Sequence, residues 1–147
     1  MNQITKNVVA LAGGVGGAKL AYGLAKLLPP ERLTVIVNTG DDFEHLGLHI
    51  APDLDTVMYT LAGLANPVTG WGVKDESWGM MAALARYDGP TWFQLGDRDL
   101  ATHLLRTQWL RDGYPYNWVT KELCRRLGVR HTILPMCEMP VLSLIHN

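Results

Sequence analysis

Four carboxylates lie around the junction between one apolar stretch and the next, and they are the residues with the clearest chemical potential. Asp41 and Asp42 follow the run Leu33 to Val37, and Asp53 and Asp55 open the next apolar pattern. Mg²⁺ in phosphoryl chemistry is bound by carboxylates together with substrate phosphates. The same residues also serve turns and helix caps, and Asp53 in particular suits an N-cap. Both interpretations stay open from the residues alone.

A glycine-rich turn precedes these acids and joins a strand-like run to a helical pattern. Glycines there let a phosphate approach the backbone at a helix N-terminus. A P-loop is excluded because Ala18 and Leu20 stand where glycine and Ser/Thr are required, and a GxGxxG motif counted from Gly14 fails at Lys19. A phosphate or pyrophosphate site is favoured over a tight turn with close helix packing. Its candidate residues are Gly13, Gly14, Gly16, Gly17 and Lys19.

A third polar group follows a short apolar run, Thr91 to Leu95, and has the sequence Gly96-Asp97-Arg98-Asp99. Arg98 there suits bidentate binding of a phosphate, with His103 one turn into the next helix. The alternative is that Asp97 or Asp99 caps that helix and Arg98 pairs with an acid. His45 and His49 are four residues apart, but Gly47 between them argues against a helical zinc pair.

These groups require elements that bring them to one edge of a sheet. The apolar patterns predict an α/β fold, a Rossmann-like three-layer sandwich with a mainly parallel sheet, whose ligands bind at the carboxyl ends of the strands. Four strands leave an edge or face uncovered, so the sheet is expected to be incomplete. The strands are expected at Asn7 to Ala12, Leu33 to Val37, Thr91 to Leu95 and Val129 to Leu134. The helices are expected at Gly17 to Leu28, Asp53 to Ala65, Ser77 to Tyr87, Leu100 to Arg111 and Asn117 to Leu127.

Composition limits the class of protein. The 147 residues suit a single domain. With 48% hydrophobic residues and a net charge of −1, the chain has no basic excess that would indicate nucleic acid or a membrane surface as partner. Cys124 and Cys137 form no CxxC motif, and a reduced cytoplasmic setting is expected.

Seven strings occur together in one order: LAGGVGGAKL, VIVNTGDD, PDLDTVMYTLAG, GWG, LGDRDLATHL, RDGYP and ILPM. Over about residues 8 to 136 the chain therefore resembles the CofD family, the 2-phospho-L-lactate transferases of coenzyme F-420 biosynthesis. Family members are longer. The resemblance implies that residues 1–147 are the N-terminal part of a larger transferase, with 137–147 as an atypical truncated tail whose apolar run is Val141 to Ile145.

The resemblance also implies a reaction. A guanosine diphosphate carrier donates its phospholactyl or phosphoenolpyruvyl group to a riboflavin-like deazaflavin, GMP leaves, and Mg²⁺ assists. Asp55 and Gln94 match deazaflavin contacts, although some members carry lysine at the position of Gln94. Asp41 and Asp55 are the first choices for the metal. Further candidates for the site are Asp42, Asp53, Asp97, Asp99 and His103.

Two other functions fit parts of the sequence pattern. A related α/β family of non-catalytic, nucleotide-sugar-binding regulators shares the glycine turn and the acidic loop, but it lacks the PDLDTVMYT string. An NAD-dependent dehydrogenase is weakened by the missing third glycine. A homodimer is among the expected assemblies.

Overall fold

Three parallel strands form the sheet that carries the polar loops. The computed structural model describes residues 6–139, and the apolar run Val141 to Ile145 lies outside them. The strands are β1 (Val8–Ala12), β2 (Leu33–Val37), β3 (Phe43–His45), β4 (Leu48–Ile50) and β5 (Thr132–Pro135). The helices are α1 (Gly14–Leu27), α2 (Pro52–Leu61), α3 (Gly79–Ala85), α4 (Asp97–Arg111) and α5 (Tyr116–Arg126), with a short 3-10 turn at Pro30–Arg32.

The sheet order is β1-β2-β5, with all neighbours parallel. Ala10, Val35 and Ile133 lie side by side in register and are buried in the core beneath the helices. Val9 and Leu11 point the other way and are 61% and 75% exposed. The expected α/β class with a parallel sheet is confirmed, and the described residues leave this second face of the sheet open. No helix between residues 6 and 139 has the length and apolarity needed to cross a membrane.

A small antiparallel hairpin, β3 with β4, was not predicted. Its turn residues, Leu46 and Gly47, both have positive φ angles of 52° and 73°. Two-residue hairpins usually signal this conformation with Asn-Gly or Asp-Gly, and Leu-Gly gives a weaker signal. The hairpin fills the space after β2 and leads the chain into α2.

The strand expected at Thr91 to Leu95 is wrong, because this segment is irregular in the structure. Its apolar character comes from ring packing instead of sheet pairing. Phe93 packs edge-on against Phe43 with ring centroids 5.2 Å apart, and Trp92 meets His45 at 5.0 Å. The two aromatic residues thus cover the hairpin without joining a sheet.

Several helix ends differ from expectation. Helices α1 and α4 each begin three residues earlier than expected, at Gly14 and Asp97. Helix α2 ends at Leu61 instead of Ala65, and α3 is shorter than expected, Gly79–Ala85. The prediction that Asp53 caps α2 is wrong, since Ala51 occupies the N-cap position and Asp53 lies inside the first turn. The last strand is shorter than expected and begins at Thr132.

Helices α3 and α4 are capped across the loop that separates them. The Glu76 carboxylate accepts hydrogen bonds from the backbone N–H groups of Arg98 (2.8 Å) and Asp99 (3.0 Å) at the start of α4. Asp97 in turn accepts from the N–H groups of Gly79 (2.8 Å) and Met80 (2.9 Å) at the start of α3. The expectation that Asp97 or Asp99 caps its own helix is therefore wrong, because Glu76 supplies that cap.

Candidate functional site

Asp41 and Asp53 meet at the carboxyl ends of β1 and β2. The Asn38 side-chain amide donates to Asp41 Oδ2 (3.1 Å) and to Asp53 Oδ2 (2.9 Å) through the same nitrogen. Asn38 follows β2 directly, and its backbone N–H bonds to Ala12 at the end of β1. One amide thus holds two carboxylates beside the glycine turn.

The glycine turn contacts this pair of acids. A Cβ atom added at Gly13 would lie 3.0 Å from Asp53 Oδ2. A Cβ atom added at Gly14, which has a positive φ of 42°, would lie 3.4 Å from Asp53 Oδ1. The first N–H groups of α1 have no partner within the helix. Here a carboxylate flanks the N-terminus of the helix, so a phosphate would meet repulsion there unless a cation lay between them.

The other three residues predicted at this turn, Gly16, Gly17 and Lys19, differ in their surroundings. Gly17 is a packing residue, because an added Cβ would lie 2.8 Å from Ala12 Cα. Gly16 has open space around it, and Lys19 is exposed. The phosphate interpretation therefore concerns Gly13, Gly14 and Gly16, whereas Gly17 fits the alternative of close packing.

Asp42 belongs to a separate buried group. Its Oδ2 accepts a hydrogen bond from the Tyr116 hydroxyl (2.7 Å) and lies 3.3 Å from His49 Nε2. His49 Nε2 is also 3.1 Å from the Tyr116 oxygen. Burial raises the pKa of Tyr116, so its hydroxyl stays a donor. This trio ties the acidic loop and β4 to α5, and it leaves Asp42 away from the Asp41–Asp53 pair.

A pocket of about 370 Å³ opens on the opposite side of the first turn of α2. Asp55 and Gln94, the two residues matched to deazaflavin contacts, both line it. Aromatic rings make up much of its wall. The lining residues are Ile50, Pro52, Asp55, Thr56, Tyr59, Trp71, Gly72, Trp92, Phe93, Gln94, Asp99 and His103.

Arg106 neutralises Asp55 at the floor of the pocket. Its two terminal nitrogens each donate to one oxygen of Asp55, and Arg106 is only 2% exposed. Burial alone would lower the pKa of Arg106, but the Asp55 charge raises it above its ordinary value. Burial raises the pKa of Asp55 and the Arg106 charge opposes that rise. The result is a bidentate ion pair that joins α2 to α4.

A chain of close polar contacts continues from this ion pair. Arg106 lies 3.2 Å from His103 Nδ1, and because a guanidinium only donates, Nδ1 accepts and the ring proton sits on Nε2. His103 Nε2 is 3.3 Å from Asp99 Oδ1, which also accepts from the Tyr59 hydroxyl at 2.6 Å. Burial alone would raise the pKa of Asp99, but His103 and Tyr59 lower it below its usual range. Asp99 therefore stays an anion.

Asp55, Asp99 and His103 have potential ligand atoms within 4.8 Å of one another. Both oxygens of Asp55 and the His103 Nδ1 atom already face Arg106, whose positive charge repels a cation. Among residues 6–139, the Asp41–Asp53 pair is held by the neutral Asn38 amide and has no such competing positive charge in contact with it. The donor chemistry thus fits a divalent cation better beside the glycine turn than in the pocket.

Arg98, a predicted phosphate ligand, is exposed at the start of α4 and donates to the Lys74 carbonyl (3.3 Å). Arg106, Tyr59 and Asn38 organise the site but were not foreseen. Arg106 is charged and lies on a polar helix, so its sequence pattern indicates a solvated face. Only its partner Asp55, 51 residues away, reveals its role.

The fold and the two polar centres define an α/β protein with a glycine turn beside paired carboxylates and a separate pocket with aromatic lining. The family model for "2-phospho-L-lactate transferase CofD" matches residues 8–146, and the chain belongs to this family. The family membership predicted from the seven sequence strings is confirmed.

Relatives share much of the sequence. The chain is 52% identical over 132 residues to a phosphoenolpyruvate transferase of Streptomyces griseus, and the alignment covers 89% of this chain and 42% of that protein. It is 49% identical to a phosphoenolpyruvate transferase of Mycobacterium ulcerans, over 91% of this chain and 46% of the relative. The chain thus spans less than half the length of these relatives.

A solved structure shows the same fold. A member of the UPF0052 family from Bacillus halodurans superposes with a TM-score of 0.54 over 94% of this chain and 41% of that one. At 19% sequence identity this likeness concerns the fold alone.

Proposed function

We propose that this chain supplies the acceptor pocket and the phosphate turn of a transferase in coenzyme F-420 biosynthesis. The transferred group would be phosphoenolpyruvyl or phospholactyl, the donor a guanosine diphosphate carrier, and the acceptor the deazaflavin 7,8-didemethyl-8-hydroxy-5-deazariboflavin. Family membership supports a phospho-group transferase, and the names of the relatives favour the phosphoenolpyruvyl group.

The pocket between α2 and α4 is the observation that carries the proposal. A planar tricyclic ring needs flat apolar walls and a few polar groups that fix its orientation. Trp71, Trp92 and Phe93 supply such walls, and Asp55 and Gln94 lie beside them. The Gln94 side-chain amide donates to the Thr91 carbonyl at 3.0 Å, which holds it at the pocket wall.

Mg²⁺ is proposed at Asp41 and Asp53, not at Asp55. The paired carboxylates beside Gly13 and Gly14 suit an oxygen-binding cation, whereas the Asp55 oxygens are engaged by Arg106. When bound, such an ion neutralises charge on the phosphates. The helix N–H groups after the glycine turn orient the same phosphates.

The proposed transfer replaces one phosphorus–oxygen bond by another. An acceptor hydroxyl oxygen forms a bond to the phosphorus that carries the three-carbon acid, the bond from that phosphorus to the bridging oxygen breaks, and GMP leaves with that oxygen. The hydroxyl loses its proton to solvent or a carboxylate. This chain's part is to hold acceptor and phosphates in line, which accounts for most of the rate in phosphoryl transfers.

Thermal shift with the 147-residue chain tests the proposal. The deazaflavin is expected to raise Tm, since a ligand at 100 times its Kd stabilises by about 2.7 kcal/mol. Trp92→Ala is expected to remove most of that rise, whereas Trp118→Ala on α5, away from the pocket, is expected to keep it. Stabilisation by UDP-sugars with no response to the deazaflavin contradicts the proposal and supports the regulator instead.

A further inference from the structure

One carboxylate oxygen at the pocket floor has hydrogen-bonding capacity left over. Asp99 Oδ1 accepts from Tyr59 and faces His103, while no residue among 6–139 donates to Asp99 Oδ2. The Asp99 side chain is 15% exposed and lines the pocket. We propose that Asp99 is a specificity-determining residue, whose Oδ2 receives a hydrogen bond from an N–H or O–H group on the ring edge of the acceptor.

Asp55 cannot serve this purpose as well. Both of its oxygens accept from Arg106, so a ligand would have to share an acceptor that is already used. Asp99 differs because the Tyr59 hydroxyl donates to Oδ1, and His103 Nε2 also lies 3.3 Å from Oδ1. The hydrogen bond from Tyr59 orients the carboxylate, and that orientation leaves Oδ2 for the ligand.

The charges around the floor favour a hydrogen-bond donor. Asp55 and Arg106 form an ion pair whose charges offset each other. Asp99 adds a further carboxylate to the pocket lining, and its Oδ2 has no donor among residues 6–139. A partly buried carboxylate oxygen without a donor costs free energy, and an N–H or O–H group of a ligand removes that cost. A ring with an N–H or O–H at its edge supplies the donor, and a methylated ring does not.

This inference rests on the proposed function, since it names what selects the deazaflavin within the same pocket. The expected difference in Kd between a ligand with the donor and one without it is about 10- to 100-fold, because the hydrogen bond is to a charged group. Loss of such a partner typically gives stronger discrimination than a change in apolar contact.

Fluorescence titration measures Kd for the deazaflavin and for ring-methylated forms of it, in which each edge N–H or O–H is blocked in turn. The wild-type chain is expected to bind one methylated form about 10- to 100-fold more weakly than the parent. Asp99→Asn is expected to bind the two equally. Tyr59→Phe keeps the carboxylate but frees it to rotate, so discrimination is expected to fall without disappearing. Asp112→Asn, a change of the same type at an exposed acid, is expected to behave as wild type.

The outcomes separate the two proposals. If the parent deazaflavin binds but every methylated form binds equally well, or if Asp99→Asn still discriminates, the role of Asp99 is overturned and the pocket assignment stands. If the wild-type chain binds no form of the ring, the proposed function fails, and the assignment of Asp99 fails with it. Circular dichroism verifies that the Asp99→Asn chain is folded. The comparison of parent and methylated ligands on the wild-type chain needs no variant.

Discussion

Replacing Arg106 by methionine should destabilise the fold more than any exposed substitution. The change keeps an unbranched apolar stem but removes the guanidinium and with it both donors to Asp55, whose side chain is only 8% exposed. Breaking a buried ion pair from one side costs about 3–5 kcal/mol, because the remaining charge has no partner. A typical domain has about 5–15 kcal/mol of stability, so about a fifth of it or more is lost.

Urea unfolding followed by circular dichroism measures this loss as a lower midpoint with an unchanged slope. Arg111→Met is the matched control, because Arg111 is exposed and makes a single hydrogen bond to the Gly47 carbonyl, and it should cost about 1 kcal/mol or less. The double variant Asp55→Asn/Arg106→Met should be more stable than Arg106→Met, since the unpaired charge is gone. An Arg106→Met cost no larger than that of the control, or a double variant less stable than Arg106→Met, would refute the reasoning.

Two further outcomes follow from the packing and the caps. Gly17→Ala should destabilise the folded chain by about 1–3 kcal/mol, because the added Cβ would lie 2.8 Å from Ala12 Cα. Gly16→Ala places its Cβ in open space and should stabilise α1 by up to about 1 kcal/mol. The urea midpoints of the two variants test this difference. Hydrogen bonds from the α3 N-terminus and Ser77 lower the pKa of Asp97, so its stabilisation is present above its unfolded pKa of about 3.9 and lost as pH falls below it. Asp97→Asn should therefore have a lower Tm than wild type at pH 7 and an equal one near pH 2, and an equal deficit at both pH values would contradict this assignment.

Local signals were enough to predict most of the fold. Strands β1 and β2 were foreseen because their apolar runs stop at glycine and at Asn38, and α4 and α5 because Gly113 and Gly128 end them with positive φ. The strand expected at Thr91 to Leu95 failed because aromatic residues that pack against a neighbouring hairpin look like strand residues in a sequence.

The family resemblance, and no local pattern, indicates the two pocket residues. Asp55 and Gln94 match deazaflavin contacts of the family, and the structure places both in the lining of one pocket. The position of Asp53 in the sequence suits a helix cap, yet its carboxylate accepts a hydrogen bond from Asn38 instead. Arg106 and Tyr59 could not be found, because their partners lie 51 and 40 residues away and no local pattern records such pairs.

Helix α2 explains why two centres with different chemistry stand so close together. Asp53 and Asp55 are two residues apart, and side chains with that spacing point about 200° apart around a helix. Asp53 therefore faces the glycine turn and Asn38, while Asp55 faces Arg106 and the aromatic pocket. A transferase needs its donor phosphates and its acceptor at a fixed separation, and one rigid helical turn provides that separation more reliably than two loops would. Pro52 at the start of the turn, between the buried Ala51 and Asp53, fixes where that turn begins.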